Sequence, residues 1–448
     1  MTYPEALSYL GQTRRFGMKL GLDTMRGLAQ ALGNPQDKLR FIHLAGTNGK
    51  GSTAAFCESC LHASGYRVGL YTSPHLVSVR ERIQIDRQMI SAADFAEGMT
   101  VVSEIAESRA DGEITFFELM TALALWYFAR EKVDWVVWET GLGGRLDATN
   151  IVTPEVCIIT NIGLDHQQYL GESLREIAAE KAGIIKEGVP VVSSVEKGEA
   201  ADLIQERIKH RKCPSTLLKL SKASSNLGLR EGRQWARIAF DGEEHEFAIG
   251  LIGEHQAENA ACAVAALDYL AHGANISTST ICRGLSETLW PGRFEILSEK
   301  PLIVLDGAHN SAGTEMLVET WRAFLAARFG WSAREIERSA RLVFASVTDK
   351  DISETAQLLR PLAREVLLVR LANERSAEPA RLAEAFTGLP CACYDSVSAV
   401  WHDIVSAPVS ITLITGSLFL VGEMLALRQG DTEEYHLNER LEKLTATR

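Results

Sequence analysis

The chain has 448 residues, 46% hydrophobic and 23% charged, which excludes a disordered or fibrous protein. Lysine and arginine total 46 against 58 acidic residues, a formal charge of −12 that argues against a nucleic-acid binder and for a small-molecule partner. Roughly 150 residues per domain predicts two or three domains, large enough to bury cores without disulfide or metal staples.

The amino-terminal stretch has no basic segment followed by an apolar run of about 7–15 residues, so no secretory signal is expected. No uninterrupted apolar run reaches the roughly 18 residues of a membrane span, so no membrane partner is expected. Cys57 and Cys60 have CxxC spacing in an apparent helix, without a second pair at zinc-ribbon distance. All eight cysteines are therefore expected to be reduced structural thiols, as in a cytoplasmic protein.

Strands and helices are predicted to alternate. Phe41–Ala45 reads as a strand, Ser52–Ala63 as a helix, Arg67–Tyr71 as a strand and Thr115–Arg130 as a long helix. Strands follow at Val133–Trp138 and Val156–Thr160, a helix at Leu174–Ile185, a strand at Val189–Ser193 and a helix at Ala200–Lys212. Alternation of this kind predicts a parallel sheet with helices on both faces. Trp235–Phe240 and Glu246–Ile249, split by Asp241-Gly242, predict a small antiparallel insertion before an alanine-rich helix, His255 to Ala271. The Trp290-Pro291-Gly292 break sets a domain boundary. Beyond it strands at Leu302–Leu305, Leu342–Ala345, Val366–Leu371 and Ile411–Ile414 alternate with helices at Gly313–Arg328, Ile352–Leu359, Ala377–Phe386 and Leu418–Leu427. The expected fold is α/β: a larger domain over 1–290, a smaller Rossmann-like domain over 291–428, and a charged tail over 429–448 that frays.

Gly46-Thr47-Asn48-Gly49-Lys50-Gly51-Ser52-Thr53 lies between the first strand and its helix. Glycines let backbone N–H groups wrap an anion, the helix N-terminus adds its dipole, and Lys50 supplies a charge to terminal phosphates. The strict Walker spacing is not met, because Leu44 stands where its first glycine belongs and Gly51 precedes the serine. Glu139 follows an apolar strand at its carboxyl end, where open α/β sheets place ligands, and Asp165 and His166 follow the next. With Ser73, Glu139 and His166 compose a magnesium shell completed by waters; the competing reading of His166 is a capping residue on a surface loop. On spacing alone Lys181 is a solvated helix lysine, Phe116 and Phe117 are helix core, and Arg293 forms an interdomain salt bridge as readily as a phosphate contact.

GTNGKGS resembles the ATP loop of the Mur ligase superfamily, and within it the folylpolyglutamate synthase/dihydrofolate synthase family of the bacterial bifunctional type. The stretches 71–76, 139–150, 164–166, 180–183, 253–256 with Asn259, 291–294 and 306–310 match that family in order. The resemblance implies a P-loop-type ATPase domain followed by a Rossmann-like one. It implies ATP bound by Gly46, Thr47, Asn48, Gly49, Lys50, Gly51 and Ser52, with Asn259 on the helix before the domain boundary, Arg293 just after it and Asp306 at the end of a strand beyond. It implies Mg2+, two ions in all, on Ser73, Glu139, His166 and a carbamylated Lys181. Lys19, Leu20, Gly21 and Leu22 would close over a pterin contacted by Ile114, Thr115, Phe116 and Phe117, with Leu146, Asp147 and Ala148 completing the pocket. His309 and Ser417 are the candidates for holding glutamate, with His309 a candidate base. Thr140 and Gln167-Gln168-Tyr169 depart from the family pattern without removing a ligating group.

The implied activity is ATP-dependent addition of L-glutamate to dihydropteroate, to reduced folates, or both, through an acyl phosphate, by a cytoplasmic monomer. The alternatives are a monofunctional folylpolyglutamate synthase or another Mur-type amino acid ligase. Against the latter, only 45 residues precede the phosphate loop, too few for a separate nucleotide-sugar domain. A non-enzymatic alternative is an ATP-binding switch protein, distinguished by ADP release that needs no acceptor.

Overall fold

The computed structural model describes residues 1–13, 21–108, 114–195, 198–218, 224–271, 273–348, 350–406, 409 and 411–443. Its first sheet has eight strands: β1 (Phe41–Ala45), β2 (Val68–Tyr71), β3 (Ile83–Ile85), β4 (Gln88–Met89), β5 (Trp135–Glu139), β6 (Val156–Ile159), β7 (Val191–Ser193) and β8 (Ser215–Leu217). Their spatial order is β4-β3-β2-β5-β1-β6-β7-β8. β2 through β8 pair in parallel along that order, and β3 and β4 add an antiparallel edge. The central runs FIHLA, WVVWE and VCII are buried at every position, as strands covered on both faces must be. Phe41 pairs with Val136 and Ile42 with Val156, so β1, β5 and β6 end together on one edge.

A separate antiparallel sheet joins β9 (Ser224–Arg230), β10 (Arg233–Phe240) and β11 (Glu243–Ile249). Asp241 and Gly242 both have positive φ, 52° and 76°, as a two-residue hairpin turn requires. The sequence reading missed β9, whose Ser, Asn and Gly residues lack apolar alternation and whose face is half-exposed.

The third sheet contains β12 (Glu295–Glu299), β13 (Leu302–Leu305), β14 (Ala340–Phe344), β15 (Ala363–Val369), β16 (Cys391–Tyr394) and β17 (Ile411–Thr415), ordered β12-β13-β17-β14-β15-β16. Only β12 runs antiparallel. The predicted helices appear with ends shifted by a few residues, and Leu174–Lys181 gives way to a 3-10 turn at Ala182–Ile184. Cys57 and Cys60 are buried in the helix Lys50–Ala63, and none of the eight cysteines is in a disulfide.

The charged tail does not simply fray: Thr432–Lys443 is a helix returning to the amino-terminal end of the chain. Its Glu434 accepts from Tyr3 Oη at 2.6 Å, its Asn438 Oδ1 accepts from the Val79 N–H at 2.8 Å, and Tyr435 is buried. Specific partners distant in sequence, invisible to composition, hold that segment.

The helices Lys50–Ala63 and Thr278–Glu287 cross at Gly284, where a Cβ would stand 2.5 Å from the Cys60 Cα. Backbone cannot retreat as a flexible side chain can. Gly284→Val is expected to lower stability by about 1–3 kcal/mol, read as a reduced urea midpoint with an unchanged slope; an unchanged midpoint would refute the close crossing.

Candidate active site

β1 ends at Ala45 and the chain turns through Gly46–Gly49 into the helix beginning at Lys50. Gly49 has φ +83°, and a Cβ there would collide with the Asn259 carboxamide. A Cβ on Gly51 would stand 3.0 Å from Trp290 Nε1. The loop is braced from the end of β6. Asn48 N–H donates to Asn161 Oδ1 at 2.7 Å, Thr160 Oγ1 donates to Asn48 O at 2.7 Å, and Thr47 N–H donates to Asn161 O at 2.9 Å. Thr160 and Asn161 were not singled out from the sequence; the available signal was a polar pair directly after an apolar strand.

Two lysines converge on this loop. Lys50 Nζ donates to Gly46 O at 3.0 Å and Thr47 O at 3.1 Å, and Lys181 Nζ donates to Gly46 O at 2.8 Å. Lys181 is only 4% exposed, against the expectation of a solvated side chain, because its helix leads back beneath the loop. Burial first, then the Lys50 charge, pushes its pKa down to about 7, with Asp165 and Asp147 opposing.

Glu139, at the end of β5, is 3% exposed, and its Oε2 accepts from the Ser73 N–H at 3.0 Å. Burial pushes its carboxyl up to about 7, opposed by Lys50, the Ser73 N–H, Arg293 and Arg82. Lys50 and Arg293, from opposite halves of the chain, therefore act on one carboxylate. His166 has φ +51° and a half-exposed side chain, its Nε2 3.9 Å from Asp165 Oδ1. Burial, with Lys350, Lys181 and Lys50 adding to it and Asp165 opposing, holds the imidazole below its ordinary pKa.

Among the described residues no group of three or more His, Cys, Asp or Glu is placed to hold a metal. The set read from the sequence contains two such residues, Glu139 and His166, beside the Ser73 hydroxyl. A buried carboxylate, a hydroxyl and a neutral imidazole fit a cation that keeps waters and phosphate oxygens in its shell, as Mg2+ does.

The segments expected to contact an acceptor pack beside Tyr71, Val136 and Trp138, on the β5 face. Thr115 caps the helix Phe116–Glu131 in a capping box with Glu118. Ile114 and Thr115 are buried, the Arg82 guanidinium lies 5.3 Å from the Phe116 ring centroid, and Phe117 sits 6.0 Å from Tyr71 and against Gly141. Ala148 is buried and Leu146 partly so. Asp147 is turned onto its own loop: Oδ2 accepts from Leu142 N–H at 2.8 Å, and Oδ1 from Thr149 N–H at 3.0 Å and the Thr149 hydroxyl. Gly21 and Leu22 lead into the helix Asp23–Ala31, which packs on the helix Phe116–Glu131. Lys19 and Leu20 lie outside the described residues.

From the second half, Asn259 Nδ2 donates to Gln256 Oε1 at 3.0 Å beneath Gly49. Asp306 accepts from Phe294 N–H and Ala308 N–H, both at 2.8 Å, clamping the ends of β12 and β13 together. Phe294 has φ +44°, a strained conformation for a bulky residue costing about 1–3 kcal/mol, and it directly follows Arg293. Gly307 leaves room for the Arg293 guanidinium and Leu418. His309 Nδ1 stands 2.9 Å from Gly307 O, and burial lowers its pKa. Ser417 is 2% exposed, and its Oγ accepts from Phe419 N–H at 3.2 Å. β13 and β17 are neighbours, so His309 and Ser417 follow adjacent strand ends.

Residues 44–267 match the Mur ligase middle domain, and residues 292–418 the Mur ligase, glutamate ligase domain. A dihydrofolate synthase/folylpolyglutamate synthase of Bacillus subtilis is 37% identical over 94% of this chain and 98% of its own length. The Escherichia coli protein of the same description is 32% identical over 94% of both chains. A folylpolyglutamate synthase crystal structure from Thermotoga maritima superposes with TM-score 0.84 and 32% identity, over 97% of this chain and 99% of that one. E. coli FolC in complex with DHPP and ADP superposes with TM-score 0.81 and 29% identity, over 96% of this chain and 99% of that one.

The buried lysine makes stability depend on pH. With a folded pKa of about 7 against an ordinary 10.5, the unfolded chain binds more protons between those values. This group therefore makes the nucleotide-free protein more stable as pH rises from 7 towards 10. Lys181→Met is expected to flatten that slope in urea titrations; parallel curves for variant and wild type would sink the assignment.

Proposed function

We propose, because the chain belongs to the dihydrofolate synthase/folylpolyglutamate synthase family of Mur ligases, that the cleft between its two halves is where ATP, a pteroyl or folyl acceptor and glutamate meet. The protein is an ATP-dependent acid–amino-acid ligase adding L-glutamate to dihydropteroate or reduced folates. We read it as bifunctional, accepting both. The observation that supports the cleft best is the field at Glu139, to which Lys50 and Arg293 contribute from opposite sides.

The triphosphate lies along Gly46–Ser52, where backbone N–H groups and the helix N-terminus receive it. Lys50, which meanwhile holds the Gly46 and Thr47 carbonyls, swings its ammonium to the terminal phosphates. Asn259 and Asp306 border the nucleotide, and Arg293 faces its phosphates. The acceptor carboxylate attacks the γ-phosphoryl group, forming an acyl phosphate and releasing ADP. Lys50 and Arg293 stabilise the charge on the transferring group, the effect that dominates such transfers. The glutamate α-amine then attacks the acyl carbon and phosphate departs.

His309 Nδ1 donates to the Gly307 carbonyl, which leaves Nε2 as a lone-pair acceptor for a proton from that amine, near Ser417. Ser73, Glu139 and His166 would hold Mg2+, and a carbamylated Lys181 a second ion, neutralising phosphate charge. Carbamylation needs the neutral amine, and a pKa near 7 makes that form available at neutral pH. Phe116 and Phe117 offer rings to a flat pterin, with Ile114, Thr115, Leu146, Asp147 and Ala148 around it and Gly21 and Leu22 beside it.

We place the boundary between the ATP-binding and glutamate-side domains at Trp290-Pro291-Gly292. We further propose a monomer, since one chain supplies every residue named here, and a cytoplasmic setting, in keeping with eight cysteines outside any disulfide.

Lys50→Ala is expected to slow ADP release at least about 100-fold while leaving the urea midpoint near wild type. Release persisting at the wild-type rate would remove the loop from the mechanism. With the wild-type protein, ATP, magnesium and glutamate, ADP release is expected with either dihydropteroate or tetrahydrofolate. Release with tetrahydrofolate alone would reduce the enzyme to chain extension; release with neither would overturn the acceptor assignment.

A further inference from the structure

Behind the segments proposed to line the acceptor pocket lies a buried threonine that the reaction does not use. Thr149 is fully buried behind the loop Leu142–Ala148. Its hydroxyl and its N–H both serve Asp147 Oδ1. His43, in the middle of β1, places Nε2 3.0 Å from the same hydroxyl oxygen. Trp138, in β5, donates from Nε1 to the Thr149 carbonyl at 3.0 Å.

Proton bookkeeping orients this chain of contacts. Burial raises the Asp147 pKa, but each of its oxygens accepts a backbone N–H, from Leu142 and from Thr149, which holds the carboxyl as an acceptor; the single hydroxyl proton of Thr149 therefore goes to Asp147. The bond from His43 must then be donated by Nε2–H, which makes Nδ1 a bare acceptor. Nδ1 is indeed buried without a hydrogen-bond partner among the described residues. Burial holds this imidazole neutral, its pKa pushed down to about 3, as that tautomer requires. The direction therefore runs from His43 through Thr149 to Asp147, whose remaining oxygen holds Leu142 N–H.

Trp138 connects this node to the opposite wall. Its ring lies 4.5 Å from Tyr71, and Tyr71 lies 6.0 Å from Phe117. One indole thus holds the Asp147 loop through its N–H and backs the Phe117 side through its ring.

We propose that Thr149, anchored by His43 and Trp138, is the positioning residue that sets the gap between the Phe117 wall and the Leu142–Ala148 wall, and so sets acceptor affinity. Thr149 touches no substrate and acts through Asp147. The proposal rests on the acceptor-pocket reading given above.

The test measures ADP release with dihydropteroate as acceptor. Thr149→Val keeps the shape and removes the hydroxyl, and is expected to raise the acceptor KM about tenfold, the effect of losing one buried bond to a carboxylate. The KM for ATP and kcat should stay within about twofold. Thr149→Ser restores the hydroxyl and should return the acceptor KM to within about threefold of wild type. An equal rise in both KM values, or no rescue by serine, would make Thr149 merely structural and overturn the proposal. If Thr149→Val does not fold, His43→Leu removes the donor instead, and an unchanged acceptor KM there overturns it too. Phe117→Ala separates the two readings. If it raises the acceptor KM while Thr149→Val does not, positioning fails alone; if neither does, the pocket reading fails and takes the proposal with it.

Discussion

Two ammonium groups sharing the carbonyl of Gly46 are the constraint around which the site is arranged. Lys50 reaches it from the helix that the loop opens, and Lys181 from a helix more than a hundred residues later. Burial first, and then the Lys50 charge, lowers the Lys181 pKa, and the carboxylates Asp165 and Asp147 offset this in part. A polyanion entering here would be drawn in by the repulsion it relieves.

The rest of the fold keeps that arrangement in place. Parallel pairing of β5, β1 and β6 brings Glu139, the glycine loop and the Thr160-Asn161 brace to one edge. The third sheet presents the adjacent ends of β13 and β17, with Arg293 directly before the strained Phe294. Asp306 holds that strain by accepting from the Phe294 N–H. The carboxyl-terminal helix Thr432–Lys443 then ties the second half back to Tyr3 and Val79.

Much of this was legible in one dimension. Strand runs such as VCII and LIVL are buried on both faces and so are continuous rather than alternating, which makes them easy to find. The glycine loop is equally visible, because its backbone must approach both Asn259 and an anion, and a Cβ forbids that. Strand β9 was missed because its packing is partial. Spacing alone makes Lys181 a solvated helix lysine, whereas the family resemblance makes it a metal ligand; the path of its helix under Gly46 is what buries it. Asp147 was read as a pocket residue, yet most of its oxygen capacity goes to Leu142 and Thr149.

The sequence by itself determined the fold class and the place of the glycine-rich turn between β1 and its helix, because those follow from local periodicity and residue type. Tertiary structure alone decided which charges share a carbonyl, which carboxylate feels both Lys50 and Arg293, and why Thr149 and His43 matter. The physical reason is that burial and field depend on distances between segments far apart in the chain. A lysine's pKa, a histidine's tautomer and an aspartate's free lone pairs are properties of the assembled neighbourhood, and the order of residues carries no record of them.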